Sequence, residues 1–164
     1  MSRAFVKEPD GDSPGDDLPE SPVSSGPNYV TPKGLADLRA SLATAQSLVE
    51  RLFGGDRKPA EKSALARARA DVRRLQRKLD AAVLVEPTPN DAGKIAIGMR
   101  VTIEDPDARR QTFTIVGEDE ADPIHGLVSW TSPLGKALLG KREGESAMWL
   151  RPAGDVEIKI VDVL

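Results

Sequence analysis

Hydrophobic positions along this chain change their period partway, and the change marks a domain boundary. From Leu35 onward, Leu38, Leu42, Ala45, Val49 and Leu52 follow at alternating spacings of three and four. That is the seam of a heptad helix. Thr31 followed by Pro32 predicts the start of this helix. The threonine is a good N-cap, and a proline at the first helical position loses no needed N–H. Tyr29 or Val30 is placed to staple the first turn. Gly54-Gly55-Asp56 supplies the stop. A second helix is predicted from near Pro59, with Leu65, Ala68, Val72, Leu75, Leu79 and Ala82 on its seam, ending before Pro87 and Pro89. Two such helices joined by a short glycine turn fold most simply as an antiparallel hairpin.

Beyond residues 87–94, a linker with turn chemistry, the period falls to two. Ile95-Ile97, Val101-Ile103, Thr112-Val116, Gly126-Trp130, Ala147-Leu150 and Val156-Val163 are predicted strands. Pro133 to Leu139 is predicted as one short helix. The organisation expected is therefore a segment 1–27, a hairpin 28–86, the linker 87–94 and a strand-rich domain 95–164. Asp10, Asp12, Asp16, Asp17 and Glu20 stand among five prolines in the first segment. It has too little apolar surface to offset its ordering entropy and is expected to be a disordered acidic tail.

Composition narrows the chemistry. Aromatic residues make up 4% of the chain, so the core must be mostly aliphatic. Cysteine is absent and His125 is the single histidine, which argues against thiolate metal sites, histidine dyads and disulfides. No apolar run approaches the roughly 20 residues of a membrane span, and no signal-peptide core is seen. A cytoplasmic monomer is expected. The net charge of −3 does not suit a general nucleic-acid binder, but the hairpin carries a local basic excess. Glu118, Asp119, Glu120 and Asp122 read as a solvated turn between strands, with His125 exposed beside it. Trp130 and Trp149 read as packing residues.

The most specific motifs lie between Ile115 and Glu145. They are Ile115-Val116-Gly117-Glu118-Asp119-Glu120-Ala121-Asp122, then Ser132-Pro133-Leu134, Lys136-Ala137-Leu138-Leu139-Gly140-Lys141 and Glu143-Gly144-Glu145. In this order and spacing they resemble the C-terminal domain of the Gre transcript-cleavage factors. Val30-Thr31-Pro32-Lys33-Gly34-Leu35 is similar to the start of that family's hairpin. The resemblance runs from about Tyr29 to Leu164. It implies an α+β chain, with an N-terminal antiparallel coiled-coil hairpin followed by an FKBP-like β-rich domain with one short helix. It also implies a partner, bacterial RNA polymerase, bound on the largest-subunit rim of the secondary channel. The docking residues it implies are Thr131, Ser132, Pro133, Leu134 and Lys136; Thr131 replaces the usual Asp or Asn. An FKBP-like fold suggests prolyl isomerisation, but that chemistry needs an aromatic-lined pocket that this domain cannot furnish.

Family hairpins end in two carboxylates that complete a second Mg²⁺ in the polymerase active site, beside the nascent RNA 3′ end. The tip motif is Asp-Leu-Ser-Glu-Asn-Ala-Glu-Tyr. Aligned without gaps from Leu75 and Leu79, this chain reads Arg51-Leu52-Phe53-Gly54-Gly55-Asp56-Arg57-Lys58. Arg51 and Gly54 replace the acids. The first helix is also about two heptads shorter, at roughly 1.5 Å of reach lost per residue. Asp56, Glu61 and Glu50 are the carboxylates left nearby, among Arg51, Arg57, Lys58 and Lys62. Such a tip suits contact with RNA phosphates or an acidic channel wall, or is a plain solvated surface. The expected function is a polymerase-binding regulator of elongation, not itself an enzyme, with no metal or cofactor of its own. The alternatives are a cleavage factor using Asp56 with Glu50 or Glu61, and a chaperone-like interaction module.

Overall fold

The computed structural model describes residues 27–53, 59–86 and 93–164. The expected tail, tip residues Asp56, Arg57 and Lys58, and most of the expected linker lie outside these residues. A three-residue strand β1 (Asn28–Val30) leads into helix α1 (Pro32–Leu52). Helix α2 (Pro59–Asp80) returns along it and passes into strand β2 (Ala82–Leu84). Leu38, Leu42 and Ala45 of α1 and Leu65 and Ala68 of α2 are buried, and all five belong to the seam seen in the sequence. The outward and return helices bring β1 and β2 side by side as a parallel pair, Asn28 opposite Ala82 and Val30 opposite Leu84.

This pair corrects the expectation that α2 runs on through Ala82. The run from Ala81 to Val85 is apolar without a decisive period, and short apolar runs are ambiguous between helix and strand. The partner strand settles it, through Val85 N–H donating to the Val30 carbonyl at 2.8 Å. Ile95-Ile97 is a second correction, since it forms no strand. The segment instead makes an isolated bridge, Lys94 opposite Arg142, with Ile95 N–H donating to Lys141 O at 2.7 Å and its carbonyl accepting from Gly140 N–H at 2.9 Å. Gly98, at φ 93°, then turns the chain.

The remaining strands are β3 (Arg100–Glu104), β4 (Arg110–Val116), β5 (Leu127–Ser129), β6 (Ser146–Trp149) and β7 (Val156–Val163). They form one sheet in the order β5-β4-β3-β7-β6, with β4 and β5 parallel and the other pairs antiparallel. Helix α3 (Pro133–Leu138) packs on one face. The core there is Ile95, Val101, Ile103, Ile115, Val128, Leu134, Leu138, Ala147, Ile158 and Ile160, aliphatic as the composition requires. The register of β3 on β7 shifts between Thr102 and Ile103, so Ile103 faces Ile160 and Val101 faces Val163. An extra residue reverses the facing of everything beyond it. Without the shift, Val163 would turn away from the core face that Ile158 and Ile160 occupy.

The hairpin meets this domain at the start of α1. Thr31 caps the helix as the sequence predicts, its Oγ1 accepting from Gly34 N–H at 3.1 Å. The first turn of α1 contains no acidic residue. Glu120 supplies one from the other domain. Its carboxylate accepts from Thr31 N–H at 2.8 Å and from the Thr31 hydroxyl. In a capping box, a Glu three residues into the helix bonds back to the N-cap N–H. Here that position is Gly34, and a Cβ on it would run into the Glu120 carboxyl. The glycine leaves room for a carboxylate that arrives from 89 residues away.

This arrangement reverses the usual sign of a glycine substitution. Gly34→Ala would gain up to about 1 kcal/mol of helix propensity. It would also displace a carboxylate whose charge-assisted bonds contribute about 1.5–3 kcal/mol each when well formed. A net loss of about 1–2 kcal/mol in urea unfolding is expected, turning into a gain when the same change is made in Glu120→Ala protein. Stabilisation by Gly34→Ala in the otherwise unaltered chain would show that the carboxylate contributes nothing.

Candidate functional site

Three surfaces carry the residues singled out in the sequence: the turn before α3, the distal half of the hairpin and the acidic segment after β4.

The turn before α3 is over-determined by short hydrogen bonds. Ser132 Oγ donates to Ser129 O at 2.7 Å and accepts from Gly135 N–H at 3.0 Å, capping α3 with Pro133 in its first turn. Thr131 N–H donates to Ser129 Oγ at 3.1 Å, and the two hydroxyls lie 2.8 Å apart. A Cβ on Gly135 would meet the Ser129 carbonyl, so only glycine lets α3 sit this close to β5. Pro133 and Lys136 are exposed, while Thr131 and Ser132 are half-buried. Leu134 differs from the other four. It is 4% exposed and belongs to the core, so its side chain anchors the turn from within and offers no outward contact. Directly before the turn, Trp130 meets Tyr29 of β1 edge to face, with ring centroids 5.4 Å apart. The sequence placed Trp130 as packing; its partner on the hairpin side was not legible there.

At the distal hairpin, Glu50 and Arg51 are exposed at the end of α1, and Glu61 and Lys62 at the start of α2. Phe53, 64% exposed, has the Arg69 guanidinium 5.8 Å from its ring centre. Glu50 shares a groove of about 530 Å³ with Gln46, Val49, Arg69, Val72 and Arg73. Asp56, Arg57 and Lys58 lie outside the described residues, so the tip itself has no geometry here. Lower down, Arg67, Arg69, Arg73 and Arg77 are exposed along α2, while Arg74 pairs with Asp71 at 3.2 Å. Lys78 is committed elsewhere, as an ion pair with Asp119.

That ion pair changes the reading of the acidic segment. Only Glu118 of its members fits a plain solvated turn. Asp119 takes Lys78 and, at 3.4 Å, the Asn28 amide, and Glu120 takes the N-terminus of α1. Asp122 accepts a hydrogen bond from His125 Nδ1 at 2.7 Å. Among the described residues no three carboxylate or imidazole groups converge as a metal site, and no described helix is long and apolar enough to cross a membrane. His125 stands exposed in its turn, as expected. Its hydrogen bond holds the Asp122 carboxyl below the usual carboxylate range. A folded-state pKa that is lowered favours the folded state above the ordinary carboxylate pKa, and that contribution disappears as pH falls through the lowered value. Replacing His125 with Gln should therefore move the Asp122 titration, followed by carboxyl NMR, up toward the ordinary carboxylate range. An unmoved midpoint would mean that the pair does not persist in solution.

Residues 89–164 match the family model described as transcription elongation factor, GreA/GreB, C-term. The transcription elongation factor GreA of Bacillus cytotoxicus is 36% identical over 93 residues, which are 56% of this chain and 59% of that protein. The GreA of Listeria welshimeri is 44% identical over 80 residues, 48% of this chain and 50% of that protein. The chain thus spans 59% of the first of these relatives and 50% of the second. Among solved structures, GreA factor homolog 1 of Thermus thermophilus is 28% identical, with 84% of this chain and 98% of that chain covered and a TM-score of 0.41.

Proposed function

We propose that this chain, whose residues 89–164 match the GreA/GreB C-terminal family model, regulates elongation by binding RNA polymerase at the secondary channel. The turn Thr131-Ser132-Pro133, with Lys136 beside it, docks on the channel rim. The hairpin enters the channel with a basic surface, Arg67, Arg69, Arg73 and Lys62 facing RNA phosphates or an acidic wall. It modulates elongation by occupancy, without delivering an acid pair to the Mg²⁺ ions of the polymerase. The observation that supports this reading is a contrast within one molecule. The docking turn is capped and rigid, while Glu50 near the hairpin's far end lies among arginines.

The test uses backtracked elongation complexes. Wild-type protein should bind polymerase, cleave little transcript and inhibit an added cleavage factor. Pro133→Asp should weaken binding by about thirtyfold, the loss of one central contact worth about 2 kcal/mol. Strong cleavage that vanishes in Asp56→Ala would make the chain a cleavage factor acting through Asp56 with Glu50 or Glu61. Unchanged binding by Pro133→Asp would remove the docking turn from the interface. Absence of any polymerase binding would leave the interaction-module alternative in its place.

A further inference from the structure

We propose that Glu120 is a positioning residue that fixes the direction of the hairpin relative to the docking turn, so that whatever holds Thr131–Pro133 also aims α1 and α2. The inference rests on the docking reading for its functional consequence, but its structural part stands on the junction alone.

Contacts to three elements of the hairpin base, α1, α2 and β1, tie it to the sheet domain. Glu120 holds the N-cap of α1 by both Thr31 N–H and the Thr31 hydroxyl. Asp119 holds the last turn of α2 through Lys78. Asn28, which donates to the Lys78 carbonyl at 3.2 Å and to Asp119 at 3.4 Å, links that turn to β1. Tyr29 of β1 meets Trp130, and Trp130 is the residue immediately before the docking turn, its own N–H donating to Val116 O at 3.0 Å. Gly117, which precedes the acidic segment, has its α-carbon against the Tyr29 carbonyl, where a Cβ would collide. Contacts to two helices and one strand, not in line with one another, fix all rotations of one body on another.

The character of the junction makes Glu120 the sensitive member. Apolar contact at the hairpin base comes from buried Val30 and from Tyr29 against Trp130. A cavity of about 350 Å³ lies beside it, lined by Val30, Leu38 and Leu75 as well as by Lys78, Asp119 and Glu120. Apolar contact is non-directional, so the charge-assisted bonds select the angle there. The lever is long: α1 has 21 residues, so at 1.5 Å per residue a hinge of about 10° at Thr31 swings the far end by roughly 5 Å. A shift of that size moves a helix end by more than half its own radius with side chains, enough to take the tip off a narrow channel axis. Lys33, on the same turn, is paired with Asp37 and adds only a lesser electrostatic attraction to Glu120.

The chain has no cysteine, so Ser47→Cys on α1 and Glu157→Cys on β7, both exposed, can carry spin labels in full-length protein. Pulsed dipolar spectroscopy should give one narrow distance for the otherwise unaltered chain and for Thr31→Ser, which keeps the hydroxyl. Glu120→Ala should shift or broaden it, and Glu120→Asp, which keeps the charge but falls short of Thr31, should do the same. The aspartate variant decides the question if the alanine variant fails to fold by helical circular dichroism. An unchanged distance in the folded Glu120 variants would overturn the proposal. On polymerase, Glu120→Ala should bind within about twofold of wild type, because the docking turn is intact. If about a tenth of the bound molecules then hold the competent direction, the inhibition of a cleavage factor that depends on the hairpin falls about tenfold even at saturating protein. Equal inhibition at equal concentration would also overturn it. Failure of the unaltered chain to bind polymerase would sink the docking reading while the distance measurement still decided this one.

Discussion

The carboxylate of Glu120 at the N-terminus of α1 is the constraint on which the arrangement of this molecule depends. A helix start presents unpaired N–H groups and a partial positive charge. Most helices satisfy these from their own first turn. Here Thr31 caps one donor locally, and the position that would hold a local acid is Gly34. The missing acid comes from the other domain. A local property of the hairpin, the satisfaction of its first turn, has become an interdomain contact. The helix is well capped only when the domains are docked.

The two faces of the sheet domain then divide the work. On one side, α3 and the strands enclose an aliphatic core in which Leu134 and Leu138 are buried. Apolar burial is non-directional and stabilises that domain whatever the hairpin does. At the junction the contacts are hydrogen bonds, an ion pair and one edge-to-face aromatic pair, all of which depend on direction. Stability and geometry are thus supplied by different physics in different places. A substitution in the core lowers stability without aiming the hairpin elsewhere, while a substitution in the junction can do the reverse.

Much of this was legible in the sequence, and the parts that were not share one cause. The Thr31-Pro32 start, the heptad seams through Leu38, Leu42 and Leu65, and the Ser132-Pro133 cap are local signals, and all appear as read. The expected strands other than Ile95-Ile97 also appear, apart from small shifts at their ends, because alternation over several residues is local too. The β1–β2 pair was missed because Ala82 has no strand identity until Asn28 lies beside it. Asp119 and Glu120 looked like a solvated turn because their partners, Lys78 and Thr31, are 41 and 89 residues away. Gly34 was quoted as part of a motif without a physical reason, and the reason is the group that fills its missing side chain. Leu134 enters the docking set through the Ser132-Pro133-Leu134 resemblance, and its burial in the core follows from helical facing that the motif alone does not reveal.

The junction also bears on the charge of the hairpin. Counted along the chain, α2 is a run of basic residues, and Lys78 belongs to that run. In the fold Lys78 pairs with Asp119 and Arg74 with Asp71, both toward the base. Arg67 and Arg69 are exposed further out along α2, and exposed Glu50 shares a groove with Arg69 and Arg73. The charge that α2 presents is therefore not the charge counted along the chain. The ion pair that fastens the hairpin to its base also takes one cation out of the surface the hairpin offers to a charged partner.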